Sequence, residues 1–177
     1  MTTKSTRLRP LRAAAWKSVA AVGIAVSLAS TAGAFDLHQF WDQRCKSCHG
    51  HSAEFAREHL SVVDGQLKGK HHRDDLKLFL SQHEMGPELA EPIAVMLLAQ
   101  ASTPPLFQSK CAGCHKTAAE FARSSLEMKD GQLTGKASGK PVAQYLAHHG
   151  KLTPDEVPVI TGMLARVLGE TVGGAAK

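Results

Sequence analysis

Apolar side chains fall at Leu76, Phe79 and Leu80 with His83 one step further on, and the same i, i+3, i+4, i+7 spacing returns at Val142, Tyr145, Leu146 and His149. At 3.6 residues per turn such positions share one helical face, so the spacing predicts helices beginning near Asp74 and Lys140, each with a histidine on its apolar face. The recurrence runs along the chain at a constant offset of 66 residues. Ala53-Glu54-Phe55-Ala56-Arg57 matches Ala119-Glu120-Phe121-Ala122-Arg123, Asp64-Gly65-Gln66-Leu67 matches Asp130-Gly131-Gln132-Leu133, and Pro92 matches Pro158. One unit has been copied. Each copy is expected to hold a helix leading into a cysteine pair, a short helix around Glu54 or Glu120, a turn at Asp-Gly, the histidine-bearing helix and a final apolar helix. The last of these opens at Thr153-Pro154-Asp155-Glu156, a capping box with proline at the first helical position. Pro92 and Pro158 fall early in the final helices, where a distorted first turn is expected.

Between the copies, Gln100-Ala101-Ser102-Thr103-Pro104-Pro105 reads as a linker, Gly169 as a helix stop and Gly173-Gly174-Ala175-Ala176-Lys177 as a loose tail. The expected division is residues 1–34, a first lobe over 35–100, a second over 101–172 and a tail over 173–177. Residues 1–34 carry Lys4, Arg7, Arg9, Arg12 and Lys17 with no acidic residue, then an apolar run from Ser18 to Ala29 and Ala32-Gly33-Ala34. That is a basic region, an apolar region and a small-residue cleavage site, and the run is shorter than the roughly 20 residues that span a bilayer. A cleaved export signal is expected, with the mature chain starting near Phe35, in a periplasm and without stable membrane insertion. The chain has 21 basic and 16 acidic residues. The five basic residues of the signal account for the whole excess, so the mature chain is neutral and a nucleic-acid partner loses its electrostatic basis.

Export would ordinarily turn four cysteines into two disulfides. Their spacing points elsewhere. They occur as Cys45-Lys46-Ser47-Cys48-His49 and Cys111-Ala112-Gly113-Cys114-His115, two copies of C-x-x-C-H, the attachment signature of c-type haem. Thiols one helical turn apart suit thioether bonds to the two vinyl groups of one haem, and the following histidine reaches the iron as proximal ligand. A thioredoxin-like pair, a zinc site drawing thiolates from both pairs, and structural disulfides are the competing readings. None of them requires a histidine directly after the second cysteine. The expected cofactors are two covalent haem c groups, held by Cys45, Cys48, Cys111 and Cys114, with His49 and His115 on the irons.

With these motifs the chain resembles the small monohaem cytochromes c, duplicated into a tandem dihaem form. The likeness covers nearly all of the mature chain. It includes Trp41 and Phe107, each four residues before the first cysteine of its motif, where such cytochromes carry an aromatic residue that packs the first helix near the haem. The resemblance implies an all-α pair of haem-binding lobes and a role in electron transfer. The family's commonest distal ligand is methionine, and here the sequence departs from it. Met85 faces Lys151 across the repeat, Met128 faces Val62, Met96 faces Gly162 and Met163 faces Leu97, so no methionine recurs. His83 and His149 do recur, each 34 residues after its proximal histidine, and are the expected distal ligands, with Met85 a rival in the first lobe. A histidine on an apolar face is otherwise most often a satisfied core residue.

Lys70, Lys136, Arg57 and Arg123 are candidates to neutralise haem propionates, with a solvated face as the ordinary alternative. His71 and His72 lack repeat counterparts and read as surface residues; His51 faces Thr117 and carries no assigned role. Lobes of about 70 residues have marginal cores, so haem is expected to complete each one and the apo chain to be largely unfolded. The expected function is single-electron transfer to redox partner proteins, with no substrate chemistry of its own. Alternatives are a small haem enzyme or gas-binding protein with one open axial position, and an electron-accepting subunit of a dehydrogenase.

Overall fold

Asp36 fixes the first helix: its carboxylate accepts from the Gln39 N–H at 2.7 Å, an N-cap that satisfies one of the free donors of the opening turn. Helix α1 (Leu37–Arg44) follows, then α2 (Lys46–His49), α3 (Ser52–His59), strands β1 (Leu60–Val63) and β2 (Gln66–Gly69), α4 (Leu76–Gln82) and α5 (Pro87–Ser102). The second repeat gives α6 (Leu106–Lys110), α7 (Ala112–His115), α8 (Ala118–Ser125), β3 (Leu126–Lys129), β4 (Gln132–Gly135), α9 (Val142–Leu146) and α10 (Glu156–Thr171) in the same order. This computed structural model describes residues 35–70 and 75–172. The expected export signal, His71, His72, Asp74 and the expected tail lie outside the described residues.

The expectation of an all-α chain is overturned. Each repeat carries an antiparallel hairpin, β1 against β2 with Val63 opposite Gln66, and β3 against β4 with Lys129 opposite Gln132. The reason is local. Asp64 and Gly65 have φ of 51° and 72°, and Asp130 and Gly131 have 49° and 74°. Two consecutive positive φ values make the tight turn whose twist matches paired strands, and Asp-Gly is among the sequences that favour it. The turn expected at these sites is present; the strands on either side of it are not helices.

Other boundaries shift less. Helix α5 continues through Gln100 to Ser102, so the segment read as a linker is helical over its first half. Gly169 lies inside α10, which runs two residues further. The reciprocal bonds of the expected capping box form, the Thr153 N–H donating to Glu156 Oε2 at 2.8 Å and the Glu156 N–H to Thr153 Oγ1 at 3.3 Å, but α10 begins only at Glu156, so Pro154 lies before the helix and not at its first position. In the first repeat Pro87 opens α5 instead, with the first turn closed by a three-residue bond from the Leu89 N–H to the Gly86 carbonyl at 3.1 Å.

The final helices are the centres of the cores. Ile93, Met96 and Leu97 of α5 are buried against Leu37, Trp41 and Ala56, and Ile160, Leu164, Val167 and Leu168 of α10 against Phe107, Ala122 and Leu126. Each of the large aliphatic and phenylalanine side chains among them contributes about 1.5–3 kcal/mol by leaving water. Polar groups join the repeats. His38 Nε2 and Glu170 Oε2 meet at 2.8 Å, both buried, and Arg166 adds a 2.6 Å bond to the same carboxylate. Arg123 binds both oxygens of Asp36, while Arg57 donates to Gln108, which donates to Glu54. Among the described residues, no helix is long and apolar enough to cross a membrane.

Candidate functional site

Each C-x-x-C-H segment folds as one helical turn. The Cys48 and His49 N–H groups both donate to the Cys45 carbonyl, at 3.2 and 3.0 Å, and Cys114 and His115 repeat this on Cys111 at 3.0 Å each. Residues i, i+3 and i+4 share a helical face, so the turn presents two thiols and an imidazole together. The chain leaves it through a positive φ in both repeats, 68° at Gly50 and 54° at Lys116. Lys116 pairs its positive φ with ψ −110°, outside the left-handed helical region, a conformation that costs a non-glycine residue on the order of 1–3 kcal/mol.

Aromatic rings back each proximal imidazole. Phe55 lies 4.7 Å from His49 and Phe121 4.5 Å from His115, centroid to centroid. Trp41 is buried against Phe55 at 5.4 Å, and its indole N–H donates to the Gly50 carbonyl at 2.9 Å, which ties α1 to the end of the motif. Phe107 occupies the equivalent place beside Phe121 at 6.2 Å. The sequence marks Phe55 and Phe121 as repeat matches without giving them a role; their shared position six residues after the motif histidine is the signal that points to one.

His83 lies 6.0 Å from His49, ring centroid to ring centroid, and His149 lies 6.0 Å from His115, with interplanar angles of 68° and 65°. The two imidazole pairs thus match in both repeats. Their supports differ from expectation, because neither distal histidine sits within a helix. His83 is the residue that ends α4, and His149 lies three residues beyond α9. Their N–H groups bond back three residues, to Leu80 at 3.2 Å and Leu146 at 3.3 Å. Ending the helix there frees each imidazole from the buried face that Leu80 and Leu146 occupy.

In the first repeat these groups line one cavity of about 750 Å³, which includes Cys45, Cys48, His49 and His83 among walls of Trp41, Phe55, Leu60, Phe79, Leu80 and Leu97. Arg44 and Lys70 supply cations at its edge. Met85 lines the same cavity and packs against the core. The other methionines of the described chain are elsewhere: Met96 is fully buried in the core, Met128 is exposed on β3, and Met163 faces a separate cavity between the repeats. Lys136 bonds the Arg123 carbonyl, and Arg57 and Arg123 are engaged across the repeats, where the Asp36 carboxylate raises the Arg123 pKa. Both arginines are half-buried, and the Arg57–Gln108 bond is itself exposed to solvent. His51 and Thr117 both cap the helix after the motif, Thr117 with its hydroxyl and His51 without a side-chain bond.

The group these residues would hold can be tested against this geometry. Two nitrogen-to-metal bonds of about 2 Å each, plus about 1 Å from each ring centre to its nitrogen, add to about 6 Å, which matches the observed centroid separation. The cavity volume lies within the range of roughly 300–1,000 Å³ usual for cofactor sites, with apolar walls and a few polar groups. Burial raises the pKa of Cys45 and Cys111 and lowers that of His49, whose proton His83 and His59 also repel. Thioredoxin-like reactivity needs the opposite shift in its attacking thiol, whereas a neutral imidazole is the form that binds metal. The four cysteines are free, and among the described residues no three or more Cys, His, Asp or Glu converge as a zinc site requires. In the first repeat the residues present fit haem, and the second repeat reproduces the cysteine turn and the imidazole pair. Compared with family models, curated proteins and solved structures, the chain matches none.

Proposed function

We propose that this protein is an exported dihaem c-type cytochrome that carries single electrons between redox partner proteins in a periplasm. The observation that carries the reading is the pair of matched imidazole couples, His49 with His83 and His115 with His149, each at 6.0 Å beside its own C-x-x-C-H turn. Cys45 and Cys48 would hold the first haem and Cys111 and Cys114 the second, with the histidines on the two irons. When bound, haem supplies an iron that takes up and releases one electron. The chain's own residues do the rest. His49 with His83 would hold one iron and His115 with His149 the other; Phe55 and Phe121 back the proximal rings and the apolar walls limit water, an arrangement that would favour electron transfer over ligand chemistry. Histidine in place of methionine should hold the potentials below those of a His/Met centre.

Intact mass of the exported protein tests this reading. Two covalent haems on a chain beginning near Phe35 are expected; free thiols, disulfides or zinc in their place would end it. Carbon monoxide separates the rival reading of a small haem enzyme or gas-binding protein, because a centre with an open axial position binds it when reduced and a six-coordinate one resists.

A further inference from the structure

Both distal histidines lie under an aromatic ring from the preceding turn. Phe79 stacks on His83 with centroids 4.8 Å apart and planes 19° from parallel, and Tyr145 lies on His149 at 4.6 Å and 33°. The two aromatics are repeat counterparts, yet their burial differs. Phe79 also packs against Leu80, Ala90 and Ala94, whereas Tyr145 is 62% exposed. A core role accounts for Phe79 and leaves Tyr145 unexplained, since a ring so exposed contributes little to folding. What the two share is the imidazole face beneath them.

Resting on the haem reading above, we infer that Phe79 and Tyr145 are positioning residues: each clamps its distal imidazole and sets the plane in which it meets the iron. The clamp is needed because His83 and His149 lie beyond their helices, where the backbone alone leaves the ring free to turn about χ1 and χ2. An aromatic face four residues earlier restricts that rotation. The second centre, clamped by an exposed tyrosine at the looser angle, is accordingly the one whose distal ligand is more easily released.

Tyr145→Ala in the haem-loaded full chain is the test, with Tyr145→Phe as the conservative partner and the first haem as internal control. Electron paramagnetic resonance of the oxidised protein reads the relative orientation of the two axial imidazoles. Tyr145→Ala should shift or broaden the second-haem signal alone, and should raise the fraction of reduced second haem that takes up carbon monoxide by roughly twofold to tenfold, the range an aromatic pair supports. Tyr145→Phe should restore both readouts to wild-type values. A Tyr145→Ala protein with both unchanged, while His149→Ala opens the second haem, would overturn the clamp and leave the cytochrome reading standing. A second haem indifferent to His149→Ala would overturn the clamp together with the assignment of His149 as ligand.

Discussion

Asp36 performs two tasks with one carboxylate, and substitution can separate them. Its Oδ1 caps α1 through the Gln39 N–H, and its two oxygens receive Arg123 from the second repeat. The carboxylate is only 10% exposed and Arg123 32%, so the pair is neither a surface ion pair nor a fully buried one. Losing an N-cap costs about 1 kcal/mol. A fully exposed pair would contribute about 0–1 kcal/mol, and the burial of the carboxylate raises this towards the 1.5–3 kcal/mol of charged hydrogen bonds, so we take about 1.5 kcal/mol. Asp36→Ala removes both and should cost about 2.5 kcal/mol, whereas Asp36→Asn keeps the cap and most of α1 and should cost about 1–1.5 kcal/mol. Arg123→Ala should match Asp36→Asn, and a cycle through Asp36→Ala with Arg123→Ala should return a coupling of about 1–2 kcal/mol. Denaturant unfolding of the haem-loaded protein, followed by circular dichroism at 222 nm, measures all four. If Asp36→Asn and Arg123→Ala both leave the midpoint at its wild-type value, the bridge contributes nothing and the repeats are held together by other contacts.

Three further outcomes follow from the same geometry. Cys48→Ala or Cys114→Ala should leave its own repeat poorly folded while the other keeps its haem, as haem content and helical circular dichroism would report; loss of both haems from one change would mean a single cooperative unit. His83→Ala should make the first haem high-spin, but Met85 lines the same cavity, so a variant with the wild-type ligand spectrum would identify Met85 or another residue as the true ligand. Gly65→Ala and Gly162→Ala should act in opposite directions although both sites have open space around them. The first, at φ 72°, should lower stability by about 1 kcal/mol, and the second, inside α10, should raise it by about 0.5–1 kcal/mol, both read as midpoint shifts.

Features set by close neighbours along the chain are legible in the sequence alone. The 66-residue repeat, the C-x-x-C-H turns, the capping box at Thr153 and the turns at Asp64 and Asp130 are written in residues within about four positions of each other or in their exact recurrence, and all return in the folded chain. The hairpins are harder to read although Asp-Gly is a strong hairpin signal, because Leu60-Ser61-Val62-Val63 is too short a run for periodicity alone to separate strand from helix. Equal spacing singles out His83 and His149 as a pair, but their periodicity sets them on helices, and only the fold shows each helix stopping short and turning its imidazole toward the proximal ring. The same holds for Arg57 and Arg123. Their repetition marks them as a matched pair facing one common environment, yet each reaches the other repeat, at Gln108 and Asp36, more than 50 residues away. Local pattern determines which residues form a turn or a face; which distant face that one meets is decided by how the two copies pack, and pairings across such distances leave no period in the sequence.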